Sequence, residues 1–365
     1  METANQINQI GAGQGTPRNN RTPLGQTTPQ TSKSHLRTFA PIFVILAAIF
    51  WGILVVFVRA FGQADFKSME IVTLRVYSSA IFSWIFLMLF DQMSQSHQKQ
   101  KNRAGEQTQA NTITCQEAKD DSDPQKNTTF HLRDSWCFIG TGLVSIVFFS
   151  YCYFRNVEVS SAAVAAILMY TSPIFVTLLS AVFFKEKITR MKLLALLLAI
   201  IGCALVSGIA GGIGKTTPLG ILLGLGSGIG YALYSIFGRF ALDKGYSPFM
   251  VTAMTFTFAC VGVLPFIDIV GLATRLVNEP QHILLALLMG LIGSCTPFAL
   301  YTVGLRYMEA SKAAILATLE PIVTALVGTF LYKEPIDLFI IVGIVMVLVA
   351  GILCSAPYSK QQKDT

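Results

Sequence analysis

Charge is scarce in this sequence: Lys, Arg, Asp and Glu make up 13% of 365 residues, against 53% hydrophobic residues and a mean hydropathy of +0.57. So few charges cannot cover the surface of a soluble domain, which excludes a solvated globular fold. Histidine is rare as well. The four, His35, His97, His131 and His282, form no H-E-x-x-H or other paired set. No Ser-His-Asp or paired-Asp constellation occurs within the apolar runs either, which argues against an embedded enzyme and leaves no catalytic residue to name. The seven cysteines are scattered without a C-x-x-C pair, so no zinc site, disulfide framework or metal cofactor is expected. The ten-residue alternating segments of a membrane β-barrel are missing too. The stretch GGIGKTT at 211–217 resembles a phosphate-binding loop but has Ile209 where the first glycine is required, and no parallel sheet surrounds it.

What the chain does have is long apolar runs. Crossing about 30 Å of hydrocarbon takes roughly 20 apolar residues in a helix. Ten such runs occur, at 40–58, 69–90, 136–154, 161–184 and 191–209, then at 219–237, 248–270, 282–305, 313–332 and 336–356. The expected fold is therefore an all-α integral membrane protein of ten transmembrane helices, with the lipid bilayer as its first partner. Residues 1–38, which include Thr-Pro pairs at Thr16, Thr22 and Thr28, are too polar to fold and read as a disordered cytoplasmic tail, the 91–135 loop reads as disordered too, and 357–365 is a cytoplasmic tail.

The formal charge of +7 raises the question of nucleic acid, but the basic residues cluster loop by loop rather than in one stripe, so they bear on orientation instead. With the N-terminus in the cytoplasm, most of them fall on the cytoplasmic side. Only Arg59, Lys67, Arg155, Lys215, Arg275 and Lys333 fall outside, and Arg75 lies within a run. Both termini are expected in the cytoplasm of a multi-pass cell-membrane protein. The Asn127-Thr128-Thr129 sequon lies in a loop expected to face the cytoplasm, where it has no use.

The apolar runs are not ten unrelated helices. AAILMYTSPIFVTLLSAVFFKEKI, from Ala165, aligns with AAILATLEPIVTALVGTFLYKEPI, from Ala313, 148 positions later. A weaker pairing 180 positions apart sets Trp51-Gly52 against Tyr231-Ala232 and Arg59 against Arg239. The chain thus reads as two five-helix units, 39–210 and 217–356. An odd number of spans in each inverts the second relative to the first, as in transporters whose halves alternate access to a site between them.

The early Trp51-Gly52, the Leu74-Arg75 of the second run and the duplicated A-A-I-L, P-I and K-E block together resemble the EamA-type carriers of the drug/metabolite transporter superfamily over about 39–356. The resemblance implies ten helices, two EamA repeats and the carriage of small metabolites, amino-acid exporters being well represented. A passive channel or a nucleotide-sugar-type exchanger of the same superfamily is the alternative.

Candidate cargo residues stand where charge is costly. Glu320 lies eight residues beyond Lys312, about 12 Å of helix rise from the membrane edge, a depth at which a carboxylate faces a bundle interior or a wet cavity. It is expected to bind a cationic substrate group or a coupling proton, the alternative being a carboxyl that stays protonated or pairs with one arginine and only fixes packing. Pro321 breaks the helix beside it, as Pro173 does in the first copy, where Ser172 replaces Glu320. Arg75 lies about 9 Å deep and needs a partner, either a substrate carboxylate or Glu320 itself. The aromatic residues with a polar handle, Trp51, Tyr153, Tyr170, Tyr231, Tyr234 and Tyr301, are candidates for the wall of such a cavity, with ordinary helix packing as the alternative for each and an interfacial belt for all but the deeper Trp51. Glycines four apart, at Gly220, Gly224 and Gly228, mark a close helix contact inside the bundle or between protomers.

Overall fold

The computed structural model describes residues 30–109, 130–208 and 217–355. Its helices are α1 (Gln30–Gln63), α2 (Ser68–Gln109), α3 (Leu132–Val159), α4 (Ala162–Phe183), α5 (Arg190–Val206), α6 (Pro218–Asp243), α7 (Pro248–Phe266), α8 (Gln281–Tyr307), α9 (Ala310–Tyr332) and α10 (Leu338–Ser355). Among the described residues, nine of these include a stretch long and apolar enough to cross a membrane. The tenth, α5, has 17 residues and packs along α10.

Three boundaries differ from the expectation. Helix α1 begins at Gln30, inside the stretch expected to be a disordered tail, and α2 continues to Gln109, well into the expected loop from 91. Hydropathy marks only the immersed part of a helix, whereas a helix nucleated in lipid extends into water through good formers such as Gln, Lys, Ala and Glu. The run expected to reach 270 instead ends in a 3-10 turn at Leu264–Phe266 that contains Pro265. Asp268 then caps a separate surface helix, Ile269–Asn278, by accepting the Gly271 N–H at 3.0 Å. That helix is held by Arg275, which lies 3.8 Å over the Phe66 ring and donates to the carbonyl of Asp65 at 3.1 Å. Residues 1–29, the loop portion at 110–129 with Cys115 and the sequon, most of GGIGKTT and the tail from 356 lie outside the described residues.

The duplication is visible in local geometry. Helices α1 and α6 end 180 residues apart, each followed by a left-handed residue, Asp65 (φ 57°) or Gly245 (φ 93°). Matching bonds close the two turns, from Phe66 N–H to Phe61 O at 3.1 Å and from Tyr246 N–H to Ala241 O at 3.3 Å. At the other offset, α4 and α9 each break into two half-helices, Ala162–Met169 with Ser172–Phe183 and Ala310–Ala317 with Glu320–Tyr332. Pro173 and Pro321 sit in the first turn of the second halves, where a missing N–H leaves no bond unmade. Both helices end at a left-handed lysine, Lys185 (φ 54°) or Lys333 (φ 57°). Helices α3 and α8 loosen into π-turns at corresponding places, Gly140–Val147 and Leu291–Cys295.

Packing follows the same rule. Helix α1 lies against α8 and α9, and α6 against α3 and α4; α2 pairs with α7, and α5 with α10. Exchanging the two five-helix units maps this set of contacts onto itself, as a pseudo-two-fold arrangement requires. The units are inverted because the turn after α4 docks on the start of α9 through Glu186 and Ala310, whereas Lys333 follows the end of α9. Those 23 residues rise about 34 Å, so the two Lys-Glu turns lie on opposite faces. The α6 glycines lie inside the bundle. A Cβ on Gly228 would stand 2.9 Å from the Thr171 hydroxyl and 3.0 Å from the Leu168 carbonyl, so any side chain there would force α4 to shift.

Candidate functional site

A cavity of about 450 Å³ lies between the two units and reaches the face that carries Glu334. Trp51, Arg75, Tyr153, Tyr170, Tyr231, Tyr234, Tyr301 and Glu320 all line it, as does Pro321. Pro173 does not; it is buried at the break in α4. Seven different helices bring these side chains together, so no one stretch of sequence contains the site.

Glu320 is the first residue of the second half of α9, where the positive end of a helix dipole favours a carboxylate. The break that Pro321 permits therefore also creates the place where the charge is tolerated. Tyr231 of α6 donates its hydroxyl to the Glu320 carboxylate at 3.3 Å. Helix α1 can approach this point because residue 52 is glycine: a Cβ there would lie 2.5 Å from the Val323 Cβ and 2.9 Å from the Glu320 carbonyl oxygen. The Trp51-Gly52 pair thus has two roles, the glycine for contact with α9 and the indole for the cavity wall.

Arg75 enters from α2 and donates to the Ser150 hydroxyl of α3 at 3.3 Å. Among the described residues it forms no direct ion pair with Glu320, although the two groups line the same space. A guanidinium and a carboxyl group therefore face one cavity, each with a neutral hydrogen-bond partner and neither in direct contact with the other.

The end of the cavity away from Glu334 is closed by rings. Trp51 meets Phe298 and Tyr301 at centroid distances of 5.1 and 5.4 Å, and Tyr234 meets Phe298 at 4.8 Å. The hydroxyls of Tyr234 and Tyr301 are engaged with Thr302 and Ser235, both at 2.7 Å, so these two rings act as a fixed floor. Tyr231, packed on Phe149 at 5.4 Å, belongs to the side wall. Ser145, Phe149, Ser150 and Phe298 line the cavity but were not singled out from the sequence. The first two precede Tyr153 at steps of four along one face of α3, the spacing that could have revealed them.

Around the mouth stand Arg59, Ala162, Ala163 and Glu334. Arg59 and Glu334 form an ion pair at 2.7 Å, and the Arg59 guanidinium lies 4.4 Å from the centre of the Tyr332 ring. Among the described residues, no group of His, Cys, Asp and Glu is placed to hold a metal ion.

Over residues 38–208 and 218–356 the chain matches the model of the EamA-like transporter family. An uncharacterized transporter of Archaeoglobus fulgidus is 31% identical over 206 residues, covering 55% of this chain and 69% of that protein. The uncharacterized Bacillus subtilis transporter YwfM is 25% identical over 237 residues, covering 64% of this chain and 78% of its own length. A solved crystal structure superposes with a TM-score of 0.62 over 86% of this chain and 95% of the other; at 12% identity the likeness is one of fold alone.

Proposed function

This chain belongs to the EamA-like transporter family and is a membrane transporter; we propose that it is a secondary carrier that exports a small zwitterionic metabolite, such as an amino acid, across the cell membrane by alternating access. One observation carries the choice of cargo: Arg75 and Glu320 line a single 450 Å³ cavity and are not paired with each other in direct contact. Burying an unneutralised charge at mid-bilayer depth is costly, so both groups gain when a ligand brings the opposite charges. A carboxylate on Arg75 and an ammonium group on Glu320, with the latter against the faces of Tyr231 and its neighbours, meets that need. A lone amine or a lone carboxylate satisfies one side only.

Glu320 also takes a proton when the cargo leaves, and so couples transport to pH. The titratable groups around it are Arg75, Tyr153, Tyr170, Cys203 and Tyr231. The basic-residue distribution supports cytoplasmic termini, which gives the cavity mouth an outward orientation, the arrangement of a carrier about to release or reload at the outer face. The test is counterflow in reconstituted vesicles with radiolabelled amino acids, amines and carboxylates. Preloaded zwitterion accelerating uptake supports the reading. Uptake indifferent to preloading would identify a passive channel instead.

A further inference from the structure

The two faces of the protein carry a corresponding glutamate and arginine in different arrangements. On one face the Glu186 carboxylate accepts the N–H groups of Ala310 at 2.7 Å and Ser311 at 3.2 Å, together with the Ser311 hydroxyl. Arg239 donates there to the carbonyls of Leu305 at 3.2 Å and Met308 at 3.0 Å. The connection from α8 to α9 is thus clamped by a carboxylate at the helix beginning and a guanidinium at the helix ending. Ala310 and Ser311 are buried.

The repeat assigns each of these residues a counterpart on the opposite face: Glu334 for Glu186, Arg59 for Arg239, Val157 and Ser160 for Leu305 and Met308, and Ala162 and Ala163 for Ala310 and Ser311. Here the same groups are differently engaged. Arg59 and Glu334 hold each other at 2.7 Å, with 36% and 48% of their side chains exposed, and Ala162 is exposed at the cavity mouth. Glu334 is nevertheless already positioned. Its N–H bonds to Gly328 O at 3.1 Å, as that of Glu186 does to Ser180 O at 3.3 Å. Its carboxylate lies over Gly328, where the Glu186 carboxylate accepts the Ser180 hydroxyl at 3.1 Å. Ser161 caps the N–H of Val164 at 3.2 Å, and the amides of Ala162 and Ala163, in the first turn of α4, have no partner within their own helix.

We propose that Arg59 and Glu334 exchange partners when the mouth closes: Glu334 moves to the amides of Ala162 and Ala163, and Arg59 to the carbonyls of Val157 and Ser160. The inference rests on the carrier reading and adds its outer gate. A half-exposed ion pair contributes little, whereas a carboxylate on a helix N-terminus makes charge-assisted bonds favoured by the dipole. Removing the Glu334 charge therefore weakens the closed mouth more than the open one. The mouth clamp also has fewer parts than its counterpart, because Ala163 replaces the hydroxyl of Ser311 and Ile340 replaces Lys192, which stands 3.7 Å from Glu186. That imbalance accounts for a mouth that is open while the opposite face is shut.

The test uses the full chain in vesicles, with its seven cysteines replaced and a bulky maleimide as probe. In the parent, Ala162→Cys reacts and Ala310→Cys is protected. Glu186→Gln releases the closed face, slowing reaction at Ala162→Cys and speeding it at Ala310→Cys severalfold. Adding Glu334→Gln, or separately Arg59→Gln, restores reaction at Ala162→Cys. If Glu186→Gln does not fold, Arg239→Gln releases the same face. Ala162→Cys reacting equally with and without the Glu334 charge overturns the proposal, and so does a mouth that neither release closes. The labelling needs no cargo. Switching without counterflow counts against the carrier reading alone, and counterflow without switching counts against the partner exchange alone.

Discussion

The Tyr231 hydroxyl donates to the Glu320 carboxylate at 3.3 Å, so the charge in the cavity is placed by α6 as well as by the break in its own helix. The isosteric change Glu320→Gln keeps this contact and removes the charge. Loss of one charge-assisted bond, about 1.5–3 kcal/mol, lowers affinity for an ammonium-bearing cargo by roughly ten- to a hundredfold. Counterflow rates measure this, with a melting curve in detergent to confirm the fold. The same variant should flatten the dependence of transport on pH. Tyr231→Phe removes a neutral donor only and costs about 0.5–1.5 kcal/mol, or roughly two- to tenfold in affinity.

Arg75→Gln separates the two ends of the cargo. Competition by carboxylate-bearing compounds should fall by about tenfold or more, while competition by simple amines changes little. Arg75→Lys retains the charge but loses the planar fork, so it should restore only part of the loss. Equal loss for amines and zwitterions would show that Arg75 acts on structure rather than on cargo.

Gly52→Ala places a methyl 2.5 Å from the Val323 Cβ and should destabilise the fold by about 1–3 kcal/mol, read as a lowered melting temperature. Gly62→Ala, in the same helix, meets nothing within 4 Å and should leave the melting temperature unchanged or slightly raised. The pair distinguishes close packing at Glu320 from a general intolerance of alanine in α1.

Sidedness has its own check. Lys185→Cys and Lys333→Cys, in cysteine-free protein in sealed right-side-out vesicles, should react with impermeant reagents from opposite faces, Lys333→Cys from outside. Reaction of both from the same face would contradict the inversion of the two units.

Much of this structure was legible in the sequence for a simple reason. In lipid, backbone groups must be satisfied within each span, so a long apolar run has essentially one fate. The repeat was legible because the turns that need particular residues, Lys185-Glu186 and Lys333-Glu334, recur with their sequence. What failed to show was whatever hydropathy does not measure: the polar extension of α2 to Gln109, and the turn at Pro265 that ends α7 before the expected 270.

Glu320 and Arg75 stood out because ionisable residues deep in apolar runs are costly enough to require a purpose. Ser150, Phe149 and Phe298 did not, since a serine or phenylalanine in a membrane helix costs little and is common. Their place at the cavity depends on which faces of α3 and α8 meet the other helices.

By itself the sequence determined the helical class, the two-unit plan and the two charges that cannot rest in lipid, all of which follow from the free energy of single segments in hydrocarbon. Only the tertiary structure decided that Arg75 and Glu320 share a cavity without neutralising each other in direct contact, and that Glu186 is clamped while Glu334 is not. Similar local sequences fold into similar turns, but which helix end stands across from each turn depends on how the two units lean against one another. That is a property of packing between segments, on which the pattern within any one segment is silent.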